Sequence, residues 1–419
     1  MSDGRSDTSE LALPVRPVDF RAGAARRFDV LSAYDGMIIE SVSDVDFHTL
    51  AATFKAGLRA AEKLQSTRVV QERLRTWARR IAVRREQLVR IISVETGKPI
   101  RFARVEVDAA LAVLGSYCEC PSIQLQREWT PAQAAYSILN WCDPVLATVT
   151  EAATVLSSGR ALVIKPSSRA PLASLALAAY WKEGDDLDAL LCVVPSTDAV
   201  GMLRASLMTP RVTEVRFRGS RDVGTFVSRA CQEAAVPVTV SPGERLPLVL
   251  YSLADVGAQC DVILNLAFLQ PLLSSAERVS CLYVHDYLAD VLIPMLLEKV
   301  SQLRIGDPLN DETDIGPVID DVAVALVTEQ IEDALSTGAS LGGGQVEPDG
   351  RRMQPMILDK AQPFMRVCVE EREGPLLPII RFSAPSELPA TTCLTIHSVI
   401  STDMHGYADQ AITRCQGAH

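Results

Sequence analysis

The chain has 419 residues, 48% of them apolar and 22% charged, and a formal net charge of −11. That composition excludes a mostly disordered or collagen-like chain, and the length suits two or three domains with real cores. The acidic balance argues against nucleic acid or an anionic membrane as a main partner.

Residues 1–27 show no periodicity and read as a loose lead-in without a secretory signal pattern. Residues 28–42 read as two strands around a turn at Asp35-Gly36. A helix is expected over 46–64, with Phe47, Leu50, Phe54, Leu58 and Ala61 on one face and Asp44 or Asp46 as its cap. A second carries Val70, Leu74, Trp77 and Ile81. A third carries Leu88, Ile91 and Ile92 and stops at Gly97, with Pro99 preventing its continuation. The cluster Arg79, Arg80, Arg84 and Arg85 reads as a solvated helix face.

From Pro144 onward the pattern changes to alternating helix and strand. Helix 145–156, strand 161–164, helix 172–180, strand 191–194, a further helix, strand 214–217 and strand 236–240 spell a parallel sheet covered by helices. A second α/β unit begins at Leu246, with a strand over 279–284 and a helix over 287–303. Its most apolar stretch, 246–273, is broken by Asp255 and Asp261, so no membrane span is expected. The 10 cysteines include no C-x-x-C pair, only the C-x-C of Cys118 and Cys120. They read as reduced thiols of a cytoplasmic protein, and no metal site is indicated.

Five segments, in order, resemble motifs of the NAD(P)-dependent aldehyde dehydrogenase superfamily. They are VETGKPI at 94–100, SGRALVIKPSS at 158–168, VRFRGSRDVG at 215–224, RIGDPLNDETDIGPVI at 304–319 and EEREGPLLPII at 370–380. The resemblance runs from about 28 to about 412. It implies an α/β fold with a Rossmann-type cofactor domain at 28–242 and a second, catalytic-type α/β domain at 243–400. It also implies a return segment at 401–419 that is shorter than the family's.

By the same resemblance Lys165, Ser167 and Ser168 face an adenosine ribose, and Gly219, Ser220 and Val223 offer a helix N-terminus to a pyrophosphate. Arg218, where the family has Thr, adds charge toward a phosphate. Glu371 corresponds to the residue that holds the nicotinamide ribose, with Glu373 in place of an aromatic. Ser168 stands where the family usually has an acid that disfavours a 2′-phosphate, so NAD and NADP both stay open.

The family's chemistry uses a cysteine thiolate that adds to the aldehyde carbonyl, an asparagine that steadies the oxyanion, and a glutamate base. In this sequence those positions resemble Leu273 or Ser274, Cys142 and Ser241. Asn140 fits the asparagine position only with a two-residue shift, Glu244 lies three residues past the base position, and Asp143 beside an oxyanion would repel it. The expectation is therefore a member that is inactive or atypical in thiohemiacetal chemistry. One alternative is an oxidoreductase that takes hydride from an alcohol, aldehyde or hydrate with no cysteine. A second is a partner-binding subunit, as a homo-oligomer or with an active homologue. The third, a dehydrogenase using Cys142 or Cys281, ranks last, since Cys281 falls inside a strand.

Overall fold

The computed structural model describes residues 26–64, 66–119, 133–250, 255–269, 277–344, 350–389, 394–396 and 412–414. Leu273, Ser274, most of the lead-in and most of the segment after 396 lie outside them. The chain divides into two compact units, Met1–Pro242 and Gly243–His419.

The first unit opens with β1 (Arg27–Leu31) and β2 (Ile38–Ser43), antiparallel, turned at Gly36 with φ 70°. Helix α1 (Phe47–Glu62) follows, and Asp46 accepts from Thr49 N at 2.8 Å, capping it. Next come α2 (Thr67–Val83), α3 (Arg85–Thr96) and α4 (Ile100–Glu119). Gly97 ends α3 in the left-handed conformation (φ 76°), where a side chain would be strained. Pro99 does not keep the chain out of helix, as the sequence suggested. Helix α4 starts directly after it, because proline's missing N–H is not needed at a helix start.

The arginine cluster also departs from a solvated face. Arg80 donates to the carbonyls of Tyr180 and Lys182, Arg84 stacks over Tyr180 at 5.0 Å, and Arg85 pairs with Asp108. Arg79 and Arg84 nonetheless remain exposed, as a solvated face requires.

The sheet is built from β3 (Ala134–Ile138), α5 (Pro144–Ser157), β4 (Ala161–Lys165), α6 (Leu172–Trp181), β5 (Leu191–Val193), α7 (Ala199–Leu207), β6 (Val212–Gly219), α8 (Arg221–Glu233) and β7 (Val238–Pro242). Its order is β5-β4-β3-β6-β7, with every pair parallel. Strand β3 went unread because all five of its residues are buried, which erases the alternation that marks a one-sided strand.

Two buried glutamates tie the helical layer to the sheet layer. The Glu95 carboxylate accepts from Leu172 N (2.8 Å) and Ala173 N (2.9 Å), satisfying the start of α6. Glu106 does the same for α5, at Val145 N (2.8 Å) and Leu146 N (3.2 Å). Burial pushes Glu95 from 4.5 up to about 8, against the pull of those two amides. Folded protein therefore holds a proton that the unfolded chain releases between those pH values, so this group's contribution is full below pH 4.5 and lost as pH rises through about 8. The stability advantage of wild type over Glu95→Gln is expected to shrink with rising pH across that window, by at most about 1.4 kcal/mol per unit. Urea unfolding of both proteins at a series of pH values would show it; a pH-independent difference would mean Glu95 is ionised throughout.

The second unit comprises β8 (Glu244–Leu250), α9 (Val256–Leu264), β9 (Glu277–His285), α10 (Asp286–Ser301), α11 (Asp321–Ser336), β10 (Ser340–Gly343), β11 (Met356–Asp359), α12 (Arg366–Val369), β12 (Leu376–Phe382), β13 (Leu394–Ile396) and β14 (Ile412–Arg414). Among the described residues its sheet runs β10-β11-β12-β9-β8-β13-β14, parallel in the middle and antiparallel at both edges. Leu248, Leu282, Ile357 and Ile379 on the strands pack with Leu288, Leu292 and Leu296 of α10.

Candidate functional site

In an open parallel sheet the loops beyond the strands' carboxyl ends form the natural ligand crevice. In the first unit that edge carries chemistry on both faces. Strand alternation and register put Tyr136, Ile138, Lys165 and Phe217 on the face that α1 covers. Glu214, Arg216, Arg218, Thr239 and Ser241 lie on the other.

On the first face Lys165 is not an exposed loop lysine. It is 4% exposed, and its Nζ makes one hydrogen bond among the described residues, to Pro166 O at 3.1 Å. Burial lowers it to about 8, while the fields of Asp44 and Asp198 hold it up. Asp44 latches the loop beyond β5, accepting from Ser196 Oγ (3.0 Å), Thr197 N (2.9 Å) and Thr197 Oγ1 (2.6 Å). Burial would raise that carboxyl, but these hydrogen bonds outweigh it and hold it below the usual range. Asp198 caps α7 through Gly201 N at 2.8 Å, and a Cβ on Gly201 would sit 2.0 Å from Asp198 Oδ2. Glycine there is what lets the carboxylate lie over the helix start. Tyr136 is fully buried, its hydroxyl has no partner among the described residues, and burial with Asp198 nearby raises its pKa.

Ser167 and Ser168 are half-buried in the turn after β4, where Ser167 Oγ accepts from Arg169 N. Ser220 caps α8, accepting from Val223 N at 3.2 Å. The Val223 amide proposed for a phosphate is thus already engaged, and Asp222 adds a negative charge to that first turn. Gly219, at the end of β6, and Ser220 are half-buried at the same edge.

On the second face a ladder of ion pairs runs along β6. Glu214 meets Arg160 and Arg216 at 2.7 Å each, Arg216 meets Glu151, and Arg218 meets Asp143 at 3.5 Å. Arg218 is therefore turned toward Asp143 rather than presented as an added charge for a phosphate, and Asp143, fully buried, faces a cation instead of standing alone. Cys142 is half-buried just before α5, and its N–H donates to Asn140 Oδ1 at 3.3 Å, so the Asn140 carboxamide is turned back onto the loop. Ser241 lies directly across from Arg218 in the β6–β7 register and is exposed. Two of the positions that resemble catalytic ones, Cys142 and Ser241, thus lie with Asn140 and Asp143 at one sheet edge. The third, Leu273 or Ser274, lies outside the described residues, as does the side chain of Glu244.

In the second unit Glu371 is exposed, and its carbonyl accepts from Gln330 Nε2 at 2.8 Å. The neighbouring Arg372, unread in the sequence, donates to Val279 O (2.5 Å), Ser280 O and Val367 O, tying this segment to β9. Glu373 is half-buried beside it. Cys281 is buried within β9 beside Ser280 Oγ. Among the described residues no cluster of side chains is suited to a metal ion, and no helix is long and apolar enough to cross a membrane.

An all-parallel sheet with a buried lysine and a helix cap at its carboxyl edge defines an α/β protein with a candidate ligand crevice. The chain belongs to the aldehyde dehydrogenase family, whose sequence profile matches residues 20–391. It is 29% identical to the succinate-semialdehyde dehydrogenase (NADP(+)) GabD of Escherichia coli strain K12, over 88% of this chain and 80% of that one. It is 28% identical to a glutarate-semialdehyde dehydrogenase of Pseudomonas putida, over 76% and 68%. The crystal structure of an E. coli NADP-dependent enzyme superposes with TM-score 0.79 at 26% identity, over 86% of this chain and 78% of that one. A 3,6-anhydro-L-galactose dehydrogenase structure shares the fold, with TM-score 0.79 at 21% identity over 87% and 80%.

Proposed function

We propose that this protein binds a nicotinamide dinucleotide at the carboxyl edge of the β5-β4-β3-β6-β7 sheet and does not oxidise aldehydes through a covalent thiohemiacetal. The observation that carries the second half is the Asp143–Arg218 pair with Cys142 and Ser241 around it. A salt bridge and a thiol occupy the ground where an oxyanion donor and a carboxylate base are needed. The first half rests on Lys165 and Tyr136, whose buried polar atoms fit a ribose-bearing ligand. When bound, the dinucleotide would supply a hydride acceptor or donor. The chain's own residues supply its grip: Lys165 donates to ribose hydroxyls, and Ser220 shapes the loop at the start of α8.

Calorimetric titration of the full chain with NAD, NADH, NADP and NADPH tests this. At least one form is expected to bind in the micromolar range, and Lys165→Met to weaken it by about tenfold or more, the loss of a charge-assisted hydrogen bond. No heat up to millimolar ligand would remove the dinucleotide reading.

A further inference from the structure

We propose that Arg218 is a receptor for the carboxylate of a small organic acid, bound at the carboxyl edge of the first unit's sheet on the face it shares with Ser241. The site stands on the surroundings of Arg218 and does not need the dinucleotide; where both bind, it names the class of substrate.

A guanidinium carries five N–H donors in a planar fork. The other two arginines of the β6 ladder are engaged on more than one side. Arg160 donates to Glu214 and to Ser158 Oγ, and Arg216 is divided between Glu151 and Glu214. Arg218 makes a single contact among the described residues, from Nη2 to Asp143 Oδ2 at 3.5 Å, where the two Glu214 pairs close to 2.7 Å. A bond of that length is weak, and it leaves Nε and Nη1 without a partner. The Arg218 side chain is 16% exposed and that of Asp143 is fully buried, so small solutes reach the guanidinium but not the acid behind it. Ser241, across from Arg218 in the β6–β7 register and therefore on the same face, is exposed and offers a hydroxyl beside the fork.

Charge selects the ligand. The β6 ladder is neutral, each arginine being matched by an acid, and so is the buried Lys98–Glu106 pair. The first turn of α8 adds one charge of each sign, Arg221 and Asp222. Arg169, stacked at 5.2 Å on Trp141 in the loop that carries Asp143, adds one positive charge. A carboxylate brings one negative charge to this balance, and its two oxygens match two parallel N–H groups of the fork. A phosphate monoester brings about −1.5 to −2 at neutral pH and would stand against the buried Asp143.

The test titrates butyrate, its neutral counterpart butyramide, and methyl phosphate into the full chain by calorimetry. Wild type is expected to bind butyrate with a Kd of about 1 mM or tighter, and the other two about tenfold or more weaker. Ser241→Glu keeps the Arg218–Asp143 pair and sets a built-in carboxylate against the open edge. The joint variant Arg218→Gln, Asp143→Asn removes the guanidinium without stranding the acid. Melting curves confirm that both fold, and both are expected to lose butyrate affinity by about tenfold or more. No butyrate binding in wild type, methyl phosphate binding as tight as butyrate, or butyrate affinity unchanged in both variants would overturn the carboxylate receptor. NAD titrated into the same wild-type sample separates the two readings: NAD bound without butyrate overturns the receptor alone, and butyrate bound without any dinucleotide overturns the dinucleotide reading alone.

Discussion

Glu106→Ala is expected to destabilise the first unit by about 3–5 kcal/mol, the usual cost of breaking a buried charge pair from one side. Glu106 is 1% exposed and holds three groups at once: the amides of Val145 and Leu146 and the ammonium of Lys98, itself buried. Alanine strands all three. Burial already raises the Glu106 pKa, with Lys98 opposing and Asp143 reinforcing the rise. Lys98→Met should therefore be the milder change, because the carboxyl can take up a proton and go on accepting from the two amides. Glu106→Gln should fall between, keeping one acceptor and leaving Lys98 unpaired. All four tryptophans, Trp77, Trp129, Trp141 and Trp181, lie before Gly243, so tryptophan fluorescence in a denaturant series reports this unit alone. A loss below about 1 kcal/mol for Glu106→Ala would mean that water replaces the carboxylate. The consequence reaches the site, since α5 starts at Pro144, directly after Cys142 and Asp143.

The parts legible in the sequence are those that local backbone chemistry dictates. The Asp46 cap, the Gly97 terminus and the amphipathic stripes of α1 and α2 need only neighbours within a few residues. The family was legible because its motifs are contiguous segments at the joints between elements. Long-range polar contacts left no such trace. Glu95 caps a helix 77 residues on, and Arg160 finds Glu214 across the sheet 54 residues away. Neither partner is marked by spacing. Arg218 shows the same limit inside a recognised motif. Its position was readable, and its partner was not, because Asp143 becomes its neighbour only through the β3–β6 pairing.

The largest expected effect is on catalysis. With aldehydes and either dinucleotide, the wild-type rate should lie on the order of 10⁴-fold or more below that of a family member with cysteine, asparagine and glutamate in place, since groups that act as a unit fail together. No burst of reduced cofactor should precede steady state, and Cys142→Ser should change nothing. A wild-type burst abolished by Cys142→Ser would instead make that thiol a nucleophile. Rebuilding is expected to fail in an instructive order. Leu273→Cys or Ser274→Cys together with Ser241→Glu should still give no turnover. A carboxylate introduced opposite Arg218 would be drawn into an ion pair, lowering its pKa and spoiling it as a base. Removing the guanidinium with Arg218→Thr alone would leave Asp143 buried without its cation. Activity should therefore appear only when Asp143→Phe and Cys142→Asn accompany it, because Arg218 and Asp143 hold the edge of the sheet as a pair and have to be exchanged as one.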